Sequence, residues 1–204
     1  MRYFTRLAAP ALVALSLALA PQSGVAETLA LQDPVAVESL SKSKQTKPGL
    51  YITAAEAARV LAENDKAALI DVRTPSEIML IGYATPTAAA IPANFVNPEI
   101  AESSGGDVYT MVSNPEFETE VKAWLESGAG RDLEVLLVTC RSGSRSAAAI
   151  DRLVAAGVDL PLYSVIDGFE GDKNADGARA VNGWRNAGLP WTYKIREGLW
   201  PGHN

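Results

Sequence analysis

Apolar residues gather in short continuous runs separated by stretches with helical spacing. Ala67-Ala68-Leu69-Ile70-Asp71-Val72, Val135-Leu136-Leu137-Val138 and Leu162 to Ile166 are such runs. Their length and branched side chains predict strands of a parallel sheet buried on both faces. Between them the spacing changes. Thr53-Ala54-Ala55-Glu56 has the form of a capping box, and Ala57, Val60 and Leu61 continue it as a helix. Asn114-Pro115-Glu116 opens a second helix with a cap residue, a first-turn proline and an acid facing the dipole. Phe117, Val121, Trp124 and Leu125 give that helix one apolar face, and Gly128 to Gly130 end it. Ser144 to Ala156 is an alanine-rich helix closed by Gly157, and Val181 to Ala187 reads as a last short helix before Leu189-Pro190-Trp191. Residues 74–113 are the least regular part, expected as long loops with one short strand at Ile91-Pro92-Ala93-Asn94-Phe95. Strands that alternate with helices predict an α/β fold, a mainly parallel central sheet with helices on both faces. No internal repeat is present, and the length excludes two tandem domains.

The N-terminus follows a different pattern. Arg2 and Arg6 precede an apolar run from Leu7 to Ala20, which Pro21-Gln22-Ser23 breaks before Gly24-Val25-Ala26. This layout is that of a secretory signal peptide over residues 1–26, cleaved after Ala26. The 14-residue run is shorter than the ~20 residues of a spanning helix, so a retained anchor is the less favoured reading. The expected location is periplasmic or secreted, with no membrane association after cleavage. Residues 27–48 are polar and read as a linker or loosely packed N-terminal extension. A domain over 49–196 and a tail over 197–204 complete the expected organisation.

Charge narrows the function classes. Without residues 1–26 the chain carries 16 Lys+Arg against 24 Asp+Glu, a net charge of −8. Such a surface repels phosphate backbones, and no basic run with interleaved aromatics offsets it, so nucleic acid is not an expected partner. The remaining 178 residues, with four tryptophans, suffice for one buried core.

The cysteine count changes the picture most. Exported proteins normally pair their cysteines, and Cys140 is the only one here; it is an intermolecular link, a free reactive thiol, or a small buried hydrophobe. Its neighbours favour reactivity. Val138-Thr139-Cys140-Arg141-Ser142-Gly143-Ser144-Arg145-Ser146 leaves a buried strand, turns on a glycine and enters a helix. Backbone N–H groups and the helix dipole converge there and favour an anion. A free cysteine is only a few per cent ionised at neutral pH, and such a cradle raises that fraction. Arg141 and Arg145 flank the loop and can add to the field or grip an anionic substrate.

This segment resembles the active-site loop of the rhodanese family, in which a cysteine opens a six-residue loop ending in a basic residue. Cys140 to Arg145 fits that length. Leu69-Ile70-Asp71-Val72-Arg73 with Glu77, and Ala90-Ile91-Pro92-Ala93-Asn94-Phe95, resemble earlier segments of the family. Val165-Ile166-Asp167-Gly168-Phe169-Glu170-Gly171, Trp184 and Gly188-Leu189-Pro190-Trp191 resemble its C-terminal part, so the likeness spans roughly residues 50–194. It implies a sulfurtransferase in which Cys140 takes a sulfane sulfur from a donor such as thiosulfate and hands it to a thiol or cyanide-like acceptor. In that reading Arg141, Ser142, Gly143, Ser144 and Arg145 bind the small anionic donor, and Asp71, Arg73 and Glu77 support the loop. The resemblance requires no metal or organic cofactor, and the only histidine, His203, stands almost at the C-terminus.

Two departures concern access rather than chemistry. The family's glycine-histidine pair appears as Gly82-Tyr83, and residues 97–113 read as an insertion. A cysteine phosphatase or arsenate reductase loop is the nearest chemical rival, but it places five residues between cysteine and arginine. Here there are four, and Ser146 stands where that arginine belongs. A non-catalytic binding or sulfur-carrier module for a periplasmic protein remains the alternative.

Overall fold

The computed structural model describes residues 29–101 and 108–201. The signal peptide expected over 1–26, the centre of the 97–113 insertion and His203 lie outside the described residues. In chain order the elements are β1 (Tyr51–Ile52), α1 (Ala54–Glu63), β2 (Ala67–Asp71), α2 (Pro75–Ile81), β3 (Tyr83–Ala84) and β4 (Thr87–Ala90). They continue with β5 (Asn94–Ala101), β6 (Val108–Ser113), α3 (Phe117–Glu126), β7 (Val135–Thr139), α4 (Ser144–Ala155), β8 (Leu162–Val165) and β9 (Trp191–Thr192).

The central sheet has the order β1-β8-β7-β2-β4, and every neighbouring pair is parallel. Alternation along the strands sends side chains to opposite layers. Ile70, Leu136, Val138 and Leu162 face α3 and α4, where they pack with Val121, Trp124, Ile150 and Leu153. Leu69, Leu137, Tyr163 and Val165 face α1 and pack with Ala57, Val60, Phe169 and Trp184. Burying each such aliphatic side chain is worth ~1.5–3 kcal/mol, so these two layers dominate the stability. The expected α/β architecture is the observed one.

Several local expectations are corrected. Residues 74–82 are not a loop: α2 starts at Thr74, whose side chain accepts the Glu77 N–H while Glu77 accepts the Thr74 N–H, with Pro75 in the first turn. This is a full capping box. At Thr53 only half of one forms. Thr53 accepts the Glu56 N–H, but the Glu56 carboxylate turns away to accept from Gln32 N at 2.6 Å and from Arg59. The short strand expected at 91–95 begins only at Asn94, as β5 of an antiparallel ribbon with β6. Ile91 and Ala93 instead donate to the carbonyls of Asp71 and Val72, continuing the edge of the sheet. Val181 to Ala187 is not a helix. Asp167 accepts the Gly183 N–H and Trp184 N bonds Gly168 O, so this segment's donors are spent across the turn.

Residues 29–48 differ most from their reading as a loose linker. They run along the domain as a strap with two short 3-10 turns, Val37–Ser39 and Lys42–Lys44. Leu29 N donates to the Tyr163 hydroxyl at 2.9 Å, and Arg59 reaches Ala30 O at 3.1 Å. Lys44 pairs with Asp172 at 2.8 Å, and Lys47 N donates to Asp151 at 2.7 Å. The C-terminal segment is also docked. Arg196 donates to Thr87 O at 2.9 Å, Leu199 is buried, and Leu199 O accepts the Ala90 N–H at 2.6 Å. Tyr83 is buried in β3 and donates to Lys194 O at 2.9 Å.

The start of the strap is held by Glu56, which accepts the Gln32 N–H. Glu56→Ala should leave the domain folded but free residues 29–36, because bonds to a charged acceptor each contribute about 1.5–3 kcal/mol. Amide hydrogen exchange at Gln32 should then quicken at least tenfold, while exchange in β7 stays unchanged.

Candidate functional site

The sequence ends β7 at Thr139 because the next residues leave the ladder to make a tight loop. Cys140 sits at that exit, 1% exposed, at the carboxyl edge of the sheet. Gly143 is left-handed, with φ of +103°, and a β-carbon there would stand 2.1 Å from Ile166 O. Only glycine fits both demands. Its N–H donates to Cys140 Sγ at 3.1 Å, which closes the loop around the sulfur just before α4 begins.

Ser146, one turn into α4, is the residue sequence reasoning missed as part of the site. It is fully buried, and its Oγ lies 3.6 Å from Cys140 Sγ as an acceptor for the thiol. The same hydroxyl bonds Gly143 O at 2.9 Å and Ser164 Oγ at 3.1 Å. A hydroxyl rotates, so it can accept from a thiol and donate to a thiolate. Nothing in an alanine-rich helix marks one serine out; only the spacing of six from the cysteine would have done so.

The loop's outer wall is the turn after β8. Phe169 N donates to Cys140 O at 2.8 Å and Glu170 N to Arg141 O at 2.9 Å. A β-carbon on Gly168 would meet Cys140 O at 2.6 Å. Arg141, 45% exposed, pairs with Glu170 at 3.0 Å. Of the predicted loop residues, Ser142 is half-exposed, and Ser144 Oγ lies 3.4 Å from Ser43 of the strap.

The three supporting residues form two separate ion pairs. Asp71 and Arg73 are both fully buried and bond bidentately, with Nη2 to Oδ2 at 2.6 Å. Arg73 also donates to Gly82 O at 2.9 Å, and its guanidinium carbon lies 4.3 Å from the centre of the Phe169 ring. Glu77 pairs instead with Arg145, in two bonds of 2.7 and 2.5 Å. Arg145 is thus bound to α2, and the Glu77 bonds and charge outweigh its burial and hold the guanidinium above its ordinary value. Burial pushes the Glu77 carboxyl up, but the Arg145 bonds and charge, the Thr74 N–H and Arg73 outweigh it and hold it at about 2. Among the described residues no group of three or more His, Cys, Asp or Glu could hold a metal ion.

Glu77 makes the site acid-sensitive. Its carboxyl lies below its ordinary value of 4.5, so its contribution is complete above that pH and is lost as the pH falls through about 2. The displacement corresponds to about 3 kcal/mol. Denaturant unfolding between pH 7 and 2 should show this loss in the native chain. Glu77→Gln should be less stable at pH 7 and flatter in its pH dependence; an equally steep decline in the variant would refute the assignment.

No family model matches the chain. An uncharacterised protein of Rickettsia conorii is 28% identical over 142 residues, which make up 70% of this chain and 96% of that protein. Among solved structures, Rv0390 of M. tuberculosis aligns at 29% identity with a TM-score of 0.51, over 70% of this chain and 96% of its own. A thiosulfate sulfurtransferase of Pseudomonas aeruginosa aligns at 16% identity and a TM-score of 0.44, over 70% of this chain and 20% of its own. The all-parallel central sheet and the cysteine loop closed on Gly143 between β7 and α4 are the arrangement expected from the sequence, and the chain shares its fold with Rv0390.

Proposed function

We propose that the chain is an exported sulfurtransferase that carries a sulfane sulfur as a persulfide on Cys140. The observation that carries this reading is the Gly143 N–H donated to Cys140 Sγ at the entrance of α4. A donor aimed at sulfur from a helix N-terminus stabilises negative charge on that atom. Ser146 supplies a second bond that adapts to either protonation state.

The chemistry balances without a cofactor. The Cys140 thiolate attacks the outer sulfur of thiosulfate, the S–S bond breaks, and sulfite leaves with the bonding pair. The resulting persulfide, Cys140–S–S⁻, gives its terminal sulfur to a thiolate or cyanide, and the Cys140 thiolate returns. In this reading Arg141, whose guanidinium is partly exposed beside Glu170, would meet the incoming anion, and the Gly143 amide, with those of Ser142 and Ser144, would serve the persulfide. Arg145 acts chiefly through its field, since both its arms are committed to Glu77. The donor, the acceptor and export belong to the proposal; the apolar run after Arg2 and Arg6 supports the last.

Mass spectrometry of the protein after exposure to thiosulfate, a thiosulfonate or polysulfide should show a gain of one sulfur atom. Cys140→Ser should show none, and absence of the gain from the native chain with all three donors would sink the proposal. Ser146→Ala should fold but slow iodoacetamide alkylation of Cys140 at pH 7 several-fold, since the thiolate loses one of two donors. An unchanged rate would remove Ser146 from the chemistry.

A further inference from the structure

A second buried hydroxyl stands behind Ser146. Ser164 lies in β8, with Val138 of β7 and Tyr51 of β1 as its strand neighbours, and it is fully buried. Leu162, two residues earlier on the same face of the strand, packs in the apolar layer with Val138, Ala149 and Ile150. A hydroxyl in such surroundings costs stability unless it is bonded, a cost that valine, a better strand former, would not carry.

Its bonding is narrow. Among the described residues Ser164 Oγ has one partner, Ser146 Oγ at 3.1 Å. Ser146 Oγ also meets Gly143 O at 2.9 Å and Cys140 Sγ at 3.6 Å. A hydroxyl has one hydrogen to give and two lone pairs with which to accept. The Gly143 carbonyl can only accept, so in the thiol state the Ser146 hydrogen goes there. The two lone pairs of Ser146 then take the Cys140 and Ser164 hydrogens, and every hydrogen of the cluster is satisfied. The reverse direction, Ser146 donating to Ser164, would leave the Ser164 hydrogen without an acceptor in a site closed to solvent.

Loss of the thiol hydrogen to solvent changes the count. The sulfur then needs donors, and Ser146 can turn its hydrogen from Gly143 O to Sγ. Gly143 O is not orphaned by this turn, because the Ala147 N–H also donates to it, at 3.2 Å. The Ser164 bond is the same in both states. It occupies a lone pair of Ser146, keeps that hydroxyl from turning its hydrogen toward β8, and polarises it toward stronger donation. We propose that Ser164 is a positioning residue for the transfer reaction: it donates to Ser146 so that Ser146 donates to the Cys140 thiolate. The inference rests on the reading of Cys140 as the sulfur carrier, and it extends the site from the cysteine loop into the sheet.

Iodoacetamide alkylation of Cys140 in the full chain, timed at pH 7 and at pH 9.5, tests this role. The quantity read is the rate at pH 7 divided by the rate at pH 9.5. A change of access through altered packing scales both rates and leaves their ratio alone. Ser164→Ala removes one oxygen and none of the backbone bonds of β8, so the strand should keep its place. Its ratio should fall roughly threefold, as expected when a bond to a charged acceptor loses its cooperative support. In the Ser146→Ala background the same substitution should leave the ratio unchanged, since Ser164 acts only through Ser146. The proposal is overturned if Ser164→Ala keeps the native ratio, or if it lowers the ratio as much when Ser146 is already alanine. The assay contains no sulfur donor, so the positioning role can fail while thiosulfate still loads Cys140, and can hold while it does not.

Discussion

The cysteine loop lies backbone against backbone on the turn that follows β8, and most of the site depends on that contact. The carbonyls of Cys140 and Arg141 would be orphaned where the chain leaves the sheet. Phe169, Glu170 and Gly171 supply their donors. Two peptide segments come this close only where side chains are missing on both sides, at Gly143 against Ile166 and at Gly168 against Cys140. Because the loop is clamped from outside, the Gly143 N–H faces inward to the sulfur instead of continuing a ladder. An unpaired buried polar group costs about 1–3 kcal/mol, so the arrangement is held as much by what would be lost as by what is gained.

The two carboxylate–guanidinium pairs around this clamp do different work. Asp71 and Arg73 are both without solvent contact, and burying two charges roughly cancels their attraction. Their value lies in what they fix: Arg73 bridges the end of β2 to Gly82, and its flat face lies against Phe169. Glu77 and Arg145, still partly in solvent, join α2 to the first turn of α4. The cysteine is thereby set between two rigid supports, one below the sheet edge and one across the loop mouth.

How far the sequence reveals this depends on whether a feature is local. The continuous apolar runs of β2, β7 and β8 announce a doubly covered sheet, since no other soluble arrangement hides both faces of Leu136-Leu137. The cysteine loop is equally local, a strand exit, a glycine and a helix start within nine residues. α2 stays hidden because Ile78-Met79-Leu80-Ile81 has no apolar stripe; only Ile78 is buried, while Met79 and Leu80 face out. The cue was Thr74-Pro75-Ser76-Glu77, a capping signal outweighed by nearby loop residues. β1, β3 and β9 are two residues long, too short for any periodicity. The strap exists only through partners far along the chain.

That last property bears on the order of events during synthesis. The strap's first hydrogen bond joins Leu29 to Tyr163, 134 residues apart, and Lys44 waits for Asp172, 128 residues further on. A chain that emerges amino-terminus first therefore presents this segment long before its seat exists. β1 is in the same position, since its only neighbour in the sheet is β8. Such distant closures are slow relative to helix formation, so the segment that holds the strap against the finished domain is the first to be made and among the last to settle.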